Sequence, residues 1–260
     1  MKFRNVIKII LSLFIALSGF TSLFYLTINR KELKTTFSKV NQKLFNKRKP
    51  VNTGSNEFWA KEILNGGYIL LFRHAERDKW FDVKMYDSLE LGLPINGNGT
   101  NGKRFAENEY FKDAVCLNKN GKIQARGMSE LIEFSKLPVG IVISSPSCRA
   151  RQTAELVFGK YDNSNKALVY GGVFSENENS RVKFLKDYLL NLSIKDGTNT
   201  VITAHNSVVN DDVFDQIDSR LRIEEGGFFI ISNKDNKLKL KYTFNEFSSF
   251  SKIFLPRKFQ

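Results

Sequence analysis

The chain has 260 residues, with 40 Lys and Arg against 27 Asp and Glu, and therefore a formal net charge of +13. This length is sufficient for one large α/β domain with additional segments, and 23 Phe residues can supply a sizeable core. Residues 1–50 carry eleven Lys or Arg and one acidic residue, which leaves a net charge of only +3 for residues 51–260. The excess charge belongs to the N-terminal tail, so no nucleic-acid partner is expected.

The chain begins with a candidate membrane segment. Residues 9–28 are twenty consecutive residues without a charge, and a short basic stretch precedes them. An apolar span of about 20 residues can cross a bilayer as a helix. The alternative is a cleaved signal peptide, with Ala16 and Ser18 placed like a cleavage site, although apolar sequence continues beyond them. We expect a single-pass N-terminal anchor at residues 1–28 and a basic linker at residues 29–56.

The side of the membrane is left open by the flanking charges, since basic residues lie on both sides of the apolar span. The larger basic cluster follows the span, which favours a cytoplasmic body under the positive-inside rule. A basic N-terminus followed directly by an apolar span is instead typical of exported proteins, and we favour a periplasmic or otherwise extracytoplasmic body. In such a compartment Cys116 and Cys148 could form a disulfide. Two unpaired buried thiols are the equal alternative.

Residues 57–260 predict a domain of alternating strands and helices. A short helix near Phe58–Leu64 precedes a buried strand at Tyr68–Phe72. The remaining pattern predicts strands at 140–143, 167–174, 200–204, 226–231 and 238–244, and helices after 123, near 148 and around 182–189. This order predicts a three-layer α/β/α sandwich with a mixed, mostly parallel central sheet. The Gly- and Asn-rich segment 76–116 is too long for an ordinary loop and is expected to be a substrate-side insertion.

Two of the predicted strands end in the only two histidines of the chain. Arg73 and His74 follow the first strand, and His205 follows the strand at 200–204. Between them, a strand leads through a Ser/Pro turn into a helix that begins near Arg149. Because ligands of open α/β sheets bind beyond the carboxyl ends of the strands, these side chains are candidates for a catalytic cluster.

These segments resemble the histidine phosphatase superfamily, which has the phosphoglycerate-mutase-like fold, in its branch with short insertions. Arg73-His74-Ala75 is similar to the Arg-His-Gly signature of that family, and Ala204-His205 stands where the family has its second histidine. Ser144-Ser145-Pro146, followed by Arg149-Ala150 and Gln152-Thr153-Ala154, is similar to its second-arginine segment. Leu117–Ala125 is similar to a further segment of the family. The order and spacing agree over roughly residues 66–232.

The resemblance implies a phosphatase that works through a phosphohistidine, with His74 as the nucleophile. Arg73, Arg149 and a protonated His205 would hold the phosphate. The chemistry of the residues agrees, because the arginine fork binds phosphate oxygens bidentately and a neutral imidazole is a nucleophile near pH 7. The expected enzyme needs no cofactor and no metal, since no Cys/His cluster has metal-ligand spacing.

The general acid is less clearly indicated. Glu176 lies where this branch of the family places its acid, while Glu178, Glu76 and Asp78 are competing carboxylates. In the other main branch an aspartate follows the second histidine, but here Asn206 occupies that position and cannot donate a proton as an acid.

The substrate class is suggested by three features taken together. The Arg-His-Ala-Glu-Arg form of residues 73–77, the His205-Asn206 pair and the export-like N-terminus are similar to periplasmic phosphatases that act on sugar phosphates of the lipopolysaccharide core. The expected partners are therefore a phosphorylated small molecule or an envelope glycolipid, and the membrane through the N-terminal helix. The alternatives are a phosphomutase, and a catalytically silent phosphate-binding or scaffold module.

Overall fold

The structure, a computed structural model, describes part of the chain. The described residues are 54–78, 115–169, 178–206, 213–214 and 223–256, and for 178–181 only the backbone is described. All of them belong to one compact unit, Val51–Gln260. The predicted anchor, nearly all of the linker, Glu176 and most of the 76–116 segment lie outside the described residues. Within the described ranges, no helix has the length and apolar character needed to cross a membrane.

A mixed sheet forms the centre of the described part of the domain. Its six strands are β1 (Ile69–Arg73), β2 (Val139–Ser144), β3 (Asn163–Ser164), β4 (Asn199–Ala204), β5 (Phe228–Ser232) and β6 (Lys239–Phe244). Their order across the sheet is β3-β2-β4-β1-β5-β6. The pairs β3–β2, β2–β4 and β4–β1 are parallel, whereas β1–β5 and β5–β6 are antiparallel. The predicted mixed, mostly parallel α/β sheet is confirmed.

The helices of the described ranges connect and cover these strands. They are α1 (Asn56–Glu62), α2 (Lys119–Ser135), α3 (Cys148–Phe158), α4 (Glu178–Leu190) and α5 (Phe247–Ser251). Side-chain caps begin the first two, because Ser55 accepts a hydrogen bond from Phe58 N and Asn118 accepts one from Gly121 N. Gly159, in the left-handed conformation, ends α3.

Helices pack on both faces of the sheet. Leu70 and Phe72 of β1 point into a core that also contains residues of α1, α2, α3 and α5. Ile69 and Leu71 point the other way, into a second core with Leu185 of α4. Since both faces of β1 are covered, the strand is a continuous apolar run, as expected for a central strand of an α/β sheet. The arrangement is the three-layer sandwich that the sequence predicts.

Two features differ from the sequence prediction. The prediction of a strand at 167–174 is wrong for the part that the structure describes, because Lys166–Leu168 is a turn of 3₁₀ helix. The Asn165 side chain accepts from Ala167 N and so holds that backbone group in a local turn instead of a sheet ladder. The strand at this edge is instead the short β3. Helix α5, which the sequence analysis did not predict, covers β5 and β6 with Phe250.

Candidate active site

The pairing of β1 with β4 brings the two histidines together. Arg73 and Ala204 are direct partners in the parallel register, so the next residue of each strand is a histidine. The backbone N–H of His74 donates to Ala204 O at 3.0 Å, and the ring centroids of His74 and His205 are 5.3 Å apart. Both side chains are buried, with exposed fractions of 4% and 1%. The sheet thus places two imidazoles side by side at the carboxyl ends of its central strands.

The hydrogen bonds of His74 indicate its tautomer. Its Nδ1 lies 2.8 Å from Ala75 O, and because a carbonyl oxygen can only accept, Nδ1 carries the proton. Burial, and then the positive charge of Arg149, hold the pKa of His74 well below its usual value. The imidazole is therefore neutral near pH 7 and its Nε2 has a lone pair. A neutral imidazole with a free lone pair is what a nucleophile requires.

His205 is neutral for a related reason. Its Nδ1 lies 3.3 Å from Arg149 Nη2, and since a guanidinium has only donors, Nδ1 must accept. Burial, followed by the charge of Arg149, holds the pKa of His205 well below its usual value. The sequence analysis expected a protonated His205 that holds phosphate; in this arrangement Arg149 donates to the nitrogen that would take the second proton, so the ring is neutral here.

Two buried serines complete the surroundings of His205. Ser145 Oγ and Ser147 Oγ both lie 3.2 Å from His205 Nε2, which carries the proton of the neutral ring and donates. Ser147 is the residue before α3, the usual place of a capping side chain, yet it makes no capping hydrogen bond. Its hydroxyl is committed to the histidine instead. The sequence analysis quoted Ser145 as part of a motif without a role, and it did not single out Ser147.

Arg149 lies at the start of α3 and is almost fully buried, with 1% of its surface exposed. Besides the contact with His205, its Nη1 donates to Val115 O at 3.4 Å. Desolvating a guanidinium is costly, so a buried arginine beside two imidazoles favours a site that binds an anion. The structure thus places Arg149, His74 and His205 in one cluster.

Two neighbouring residues of segment 115–117 bind it to α3. Cys116 and Cys148 form a disulfide, which answers the question that the sequence left open. Leu117 N donates to Gln152 Oε1 at 2.8 Å, one residue after the disulfide. The next helix residue, Thr153, accepts from Ala75 N at 3.0 Å and so ties α3 to the loop that follows His74. Gln152 and Thr153, quoted in the sequence for their resemblance alone, therefore hold the site together.

Arg73, the fourth predicted phosphate ligand, is half-buried and already has two partners. Its Nη1 donates to Ile223 O at 2.7 Å, and its Nη2 forms an ion pair with Glu225 Oε1 at 2.9 Å. Its charge contributes to the lowered pKa of His74, after burial and Arg149. Glu225 was missed in the sequence analysis, because no local pattern in residues 223–227 connects it with a strand end about 150 residues earlier.

The structure describes only some of the carboxylates proposed as general acids. Glu176 and the Glu178 side chain lie outside what the structure describes. Glu76 Oε1 accepts from Asn118 Nδ2 at 3.1 Å, and Asp78 Oδ1 accepts from the same nitrogen at 3.1 Å. These contacts bind both carboxylates to the start of α2. Among the described residues, no group of three or more His, Cys, Asp or Glu side chains is placed to hold a metal ion.

Comparison with known proteins gave matches among solved structures. No protein-family model matches the chain, and no curated protein matches it. A protein histidine phosphatase SixA complexed with tungstate is 15% identical, with a TM-score of 0.44, over 68% of this chain and 96% of that one. A phosphoserine phosphatase mutant from Entamoeba histolytica, in complex with phosphoserine, is 14% identical, with a TM-score of 0.43, over 70% of this chain and 98% of that one.

A putative phosphohistidine phosphatase SixA from Agrobacterium tumefaciens is 16% identical, with a TM-score of 0.40, over 68% of this chain and 97% of that one. At identities and TM-scores this low, the function of the chain has to be inferred from its own residues and their contacts.

Proposed function

We propose that the chain is a phosphomonoester hydrolase of the histidine phosphatase type, tethered to the membrane by its N-terminal segment. The observation that carries the proposal is the cluster of two neutral, buried imidazoles beside each other, one of which, His205, is in contact with the buried Arg149. A phosphomonoester carries up to two negative charges, which the arginines balance. Its hydrolysis also needs a nucleophile that is unprotonated near pH 7, which His74 supplies. Both requirements are met within one cluster.

In the proposed first step, His74 Nε2 attacks the phosphorus atom. The bond between phosphorus and the ester oxygen breaks, and that oxygen leaves with a proton from a general acid, for which Glu176 is the proposal. Nδ1 keeps its proton and its hydrogen bond to Ala75 O, so the ring is held in place as it becomes positively charged. The phosphate oxygens would bind Arg149 and Arg73, with His205 beside them.

In the second step, water attacks the phosphohistidine and releases inorganic phosphate. The proton of that water passes to the carboxylate formed in the first step, which restores the acid. His74 Nε2 regains its lone pair. No metal ion or cofactor takes part in either step.

The location and substrate belong to the same proposal. The Cys116–Cys148 disulfide supports an exported body, because disulfides persist in oxidising compartments. Together with the apolar residues 9–28, it favours a membrane-anchored enzyme on the extracytoplasmic side. A sugar phosphate or another phosphate of the cell envelope is the proposed substrate.

The test is an assay of the purified full-length chain in detergent with an aryl phosphate such as p-nitrophenyl phosphate. We expect turnover that persists in EDTA and that falls at least about 1,000-fold in His74→Ala, because the covalent route is lost. Incubation with a labelled phosphomonoester and rapid acid-free quenching should give an acid-labile phosphohistidine in the wild type and none in the variant. Phosphate binding without His74-dependent turnover would instead indicate the silent binding module, and transfer to a second hydroxyl would indicate a mutase.

A further inference from the structure

The guanidinium of Arg73 is held by acceptors at both of its terminal nitrogens. Ile223 O accepts from Nη1 and Glu225 Oε1 accepts from Nη2, at 2.7 Å and 2.9 Å. The side chains of the ion pair are only 21% and 15% exposed, so water screens it less than a surface pair. A guanidinium has five N–H groups, and an acceptor at each terminal nitrogen fixes its plane while using two of the five.

The segment that supplies both acceptors is itself fixed from two directions. Asn206, the residue after His205, donates from Nδ2 to Ile223 O at 2.8 Å and accepts from Ile223 N at 3.1 Å. On the other side, Gln124 Nε2 donates to Glu225 O at 2.8 Å, while its Oε1 accepts from Glu76 N. The residue after His205 and helix α2 therefore fix the backbone that carries Glu225.

The backbone of Gly226, the residue after Glu225, is hydrogen-bonded to the end of β1. Gly226 N lies within hydrogen-bond distance of Arg73 O and His74 O, at 3.2 and 3.3 Å. Gly226 has a φ of +85°, which favours glycine, and an added Cβ would lie 3.0 Å from Met128 Sδ. The position of Glu225 is thus set by the same strand end that carries Arg73 and His74.

We propose that Glu225 is a positioning residue for the phosphate site: its carboxylate, on a segment fixed by Asn206 and Gln124, orients the guanidinium of Arg73 toward the phosphoryl group. This inference rests on the proposed function. It assigns to Asn206 the role of holding Ile223 O, and it assigns no proton transfer to Glu225. The required property of residue 225 is an acceptor at the place of Oε1, which glutamine also has.

The experiment compares Glu225→Ala and Glu225→Gln with Glu224→Ala in the full-length chain in detergent. Glu224 is the adjacent exposed residue and carries the same charge, so it is the matched control. Three quantities are measured for each protein: kcat and KM with p-nitrophenyl phosphate, the Kd of orthovanadate, and the thermal midpoint of unfolding.

We expect Glu225→Ala to lower kcat/KM and weaken vanadate binding, each by about tenfold to 100-fold, because a displaced guanidinium costs both binding and orientation. Glu225→Gln should remain within about threefold of the wild type, since its amide oxygen still accepts from Arg73. Glu224→Ala should match the wild type. A purely structural role would lower the thermal midpoint of the Glu225 variants without changing the Kd of vanadate.

The inference is overturned if Glu225→Ala binds vanadate as tightly as the active wild type, or if Glu225→Gln is impaired as much as Glu225→Ala. A wild-type chain that neither turns over the ester nor binds vanadate overturns the proposed function itself. The two failures are therefore distinguished by the wild-type measurement alone.

Discussion

Gly121 lies where α2 meets the loop that follows the His74 strand. A Cβ at this position would overlap the carbonyl oxygen of Glu76, which is backbone and cannot move aside cheaply. Asn118 N also donates to that carbonyl oxygen, at 3.4 Å, and Gln124 accepts from Glu76 N. The glycine is therefore required by the close approach of two backbones near the site, and its φ value plays no part.

The same helix contains a matched control for this residue. Gly127 has nothing within 4 Å of an added Cβ. We expect Gly121→Ala to lower the free energy of unfolding by about 1–3 kcal/mol through overpacking. Gly127→Ala should raise it by about 0.5–1 kcal/mol, because alanine is the better residue in a helix interior. Denaturant unfolding of both variants measures the two values, and equal signs would contradict the proposed close approach.

At the scale of elements, α3 is the unit to which the rest of the site is attached. Its first residues place Arg149 against His205, and Ser147 contacts the same imidazole from the preceding turn. The disulfide lies between these two residues in sequence, at Cys148, and holds the 115–117 segment over the helix. Displacing that segment would also displace Val115 O, one of the acceptors of the Arg149 guanidinium.

We therefore expect the Cys116→Ser/Cys148→Ser double variant to be less stable by about 2–4 kcal/mol, the usual contribution of such a cross-link. Its vanadate affinity should also be weaker, because Arg149 loses a fixed neighbour. Reduction of the wild type with dithiothreitol, which is removed before vanadate is added because it reduces vanadate, should reproduce both effects and should leave the double variant unchanged. If reduction lowers the thermal midpoint alone, the disulfide stabilises the fold without supporting the phosphate site.

At the scale of the whole molecule, the sheet keeps two imidazoles neutral inside the protein. They are the only histidines of the chain. Burial is the main cause of the lowered pKa of each. The unfolded chain exposes both rings to water, where their pKa returns to its ordinary value. Folding therefore excludes protons that the unfolded chain can bind.

The consequence is a pH-dependent stability. The folded state should keep its full stability above the ordinary histidine pKa of 6.5. Its free energy of unfolding should fall as the pH drops below that value, because only the unfolded state then takes up the protons. The slope should approach about 1.4 kcal/mol per pH unit for each imidazole. Denaturant unfolding between pH 7.5 and 5 measures it. A His74→Asn/His205→Asn variant should have a flat profile over this range, and a wild-type profile just as flat would contradict the buried neutral state.

Local patterns in the sequence predicted much of the fold. Continuous apolar runs such as residues 69–72 indicated buried strands, and apolar residues at helical spacing indicated α2, α3 and α4. A buried face requires apolar residues at regular positions along the chain, so the pattern can be read from neighbouring residues. The 3₁₀ turn at Lys166–Leu168 was mistaken for a strand, since a hydrogen bond that the Asn165 side chain accepts from Ala167 N decided the local conformation. Helix α5 was missed because it is only five residues long.

By itself, then, the sequence determined the α/β class, the strand ends that carry Arg73, His74 and His205, and the helix that carries Arg149. Tertiary structure alone decided that β1 and β4 are neighbours, that Arg149 occupies Nδ1 of His205, and that Glu225 pairs with Arg73. The physical reason is the range of the interactions. Strand and helix periodicity depends on residues a few positions apart, whereas the tautomer of His205 and the Arg73–Glu225 ion pair depend on atoms contributed by segments more than 50 residues apart.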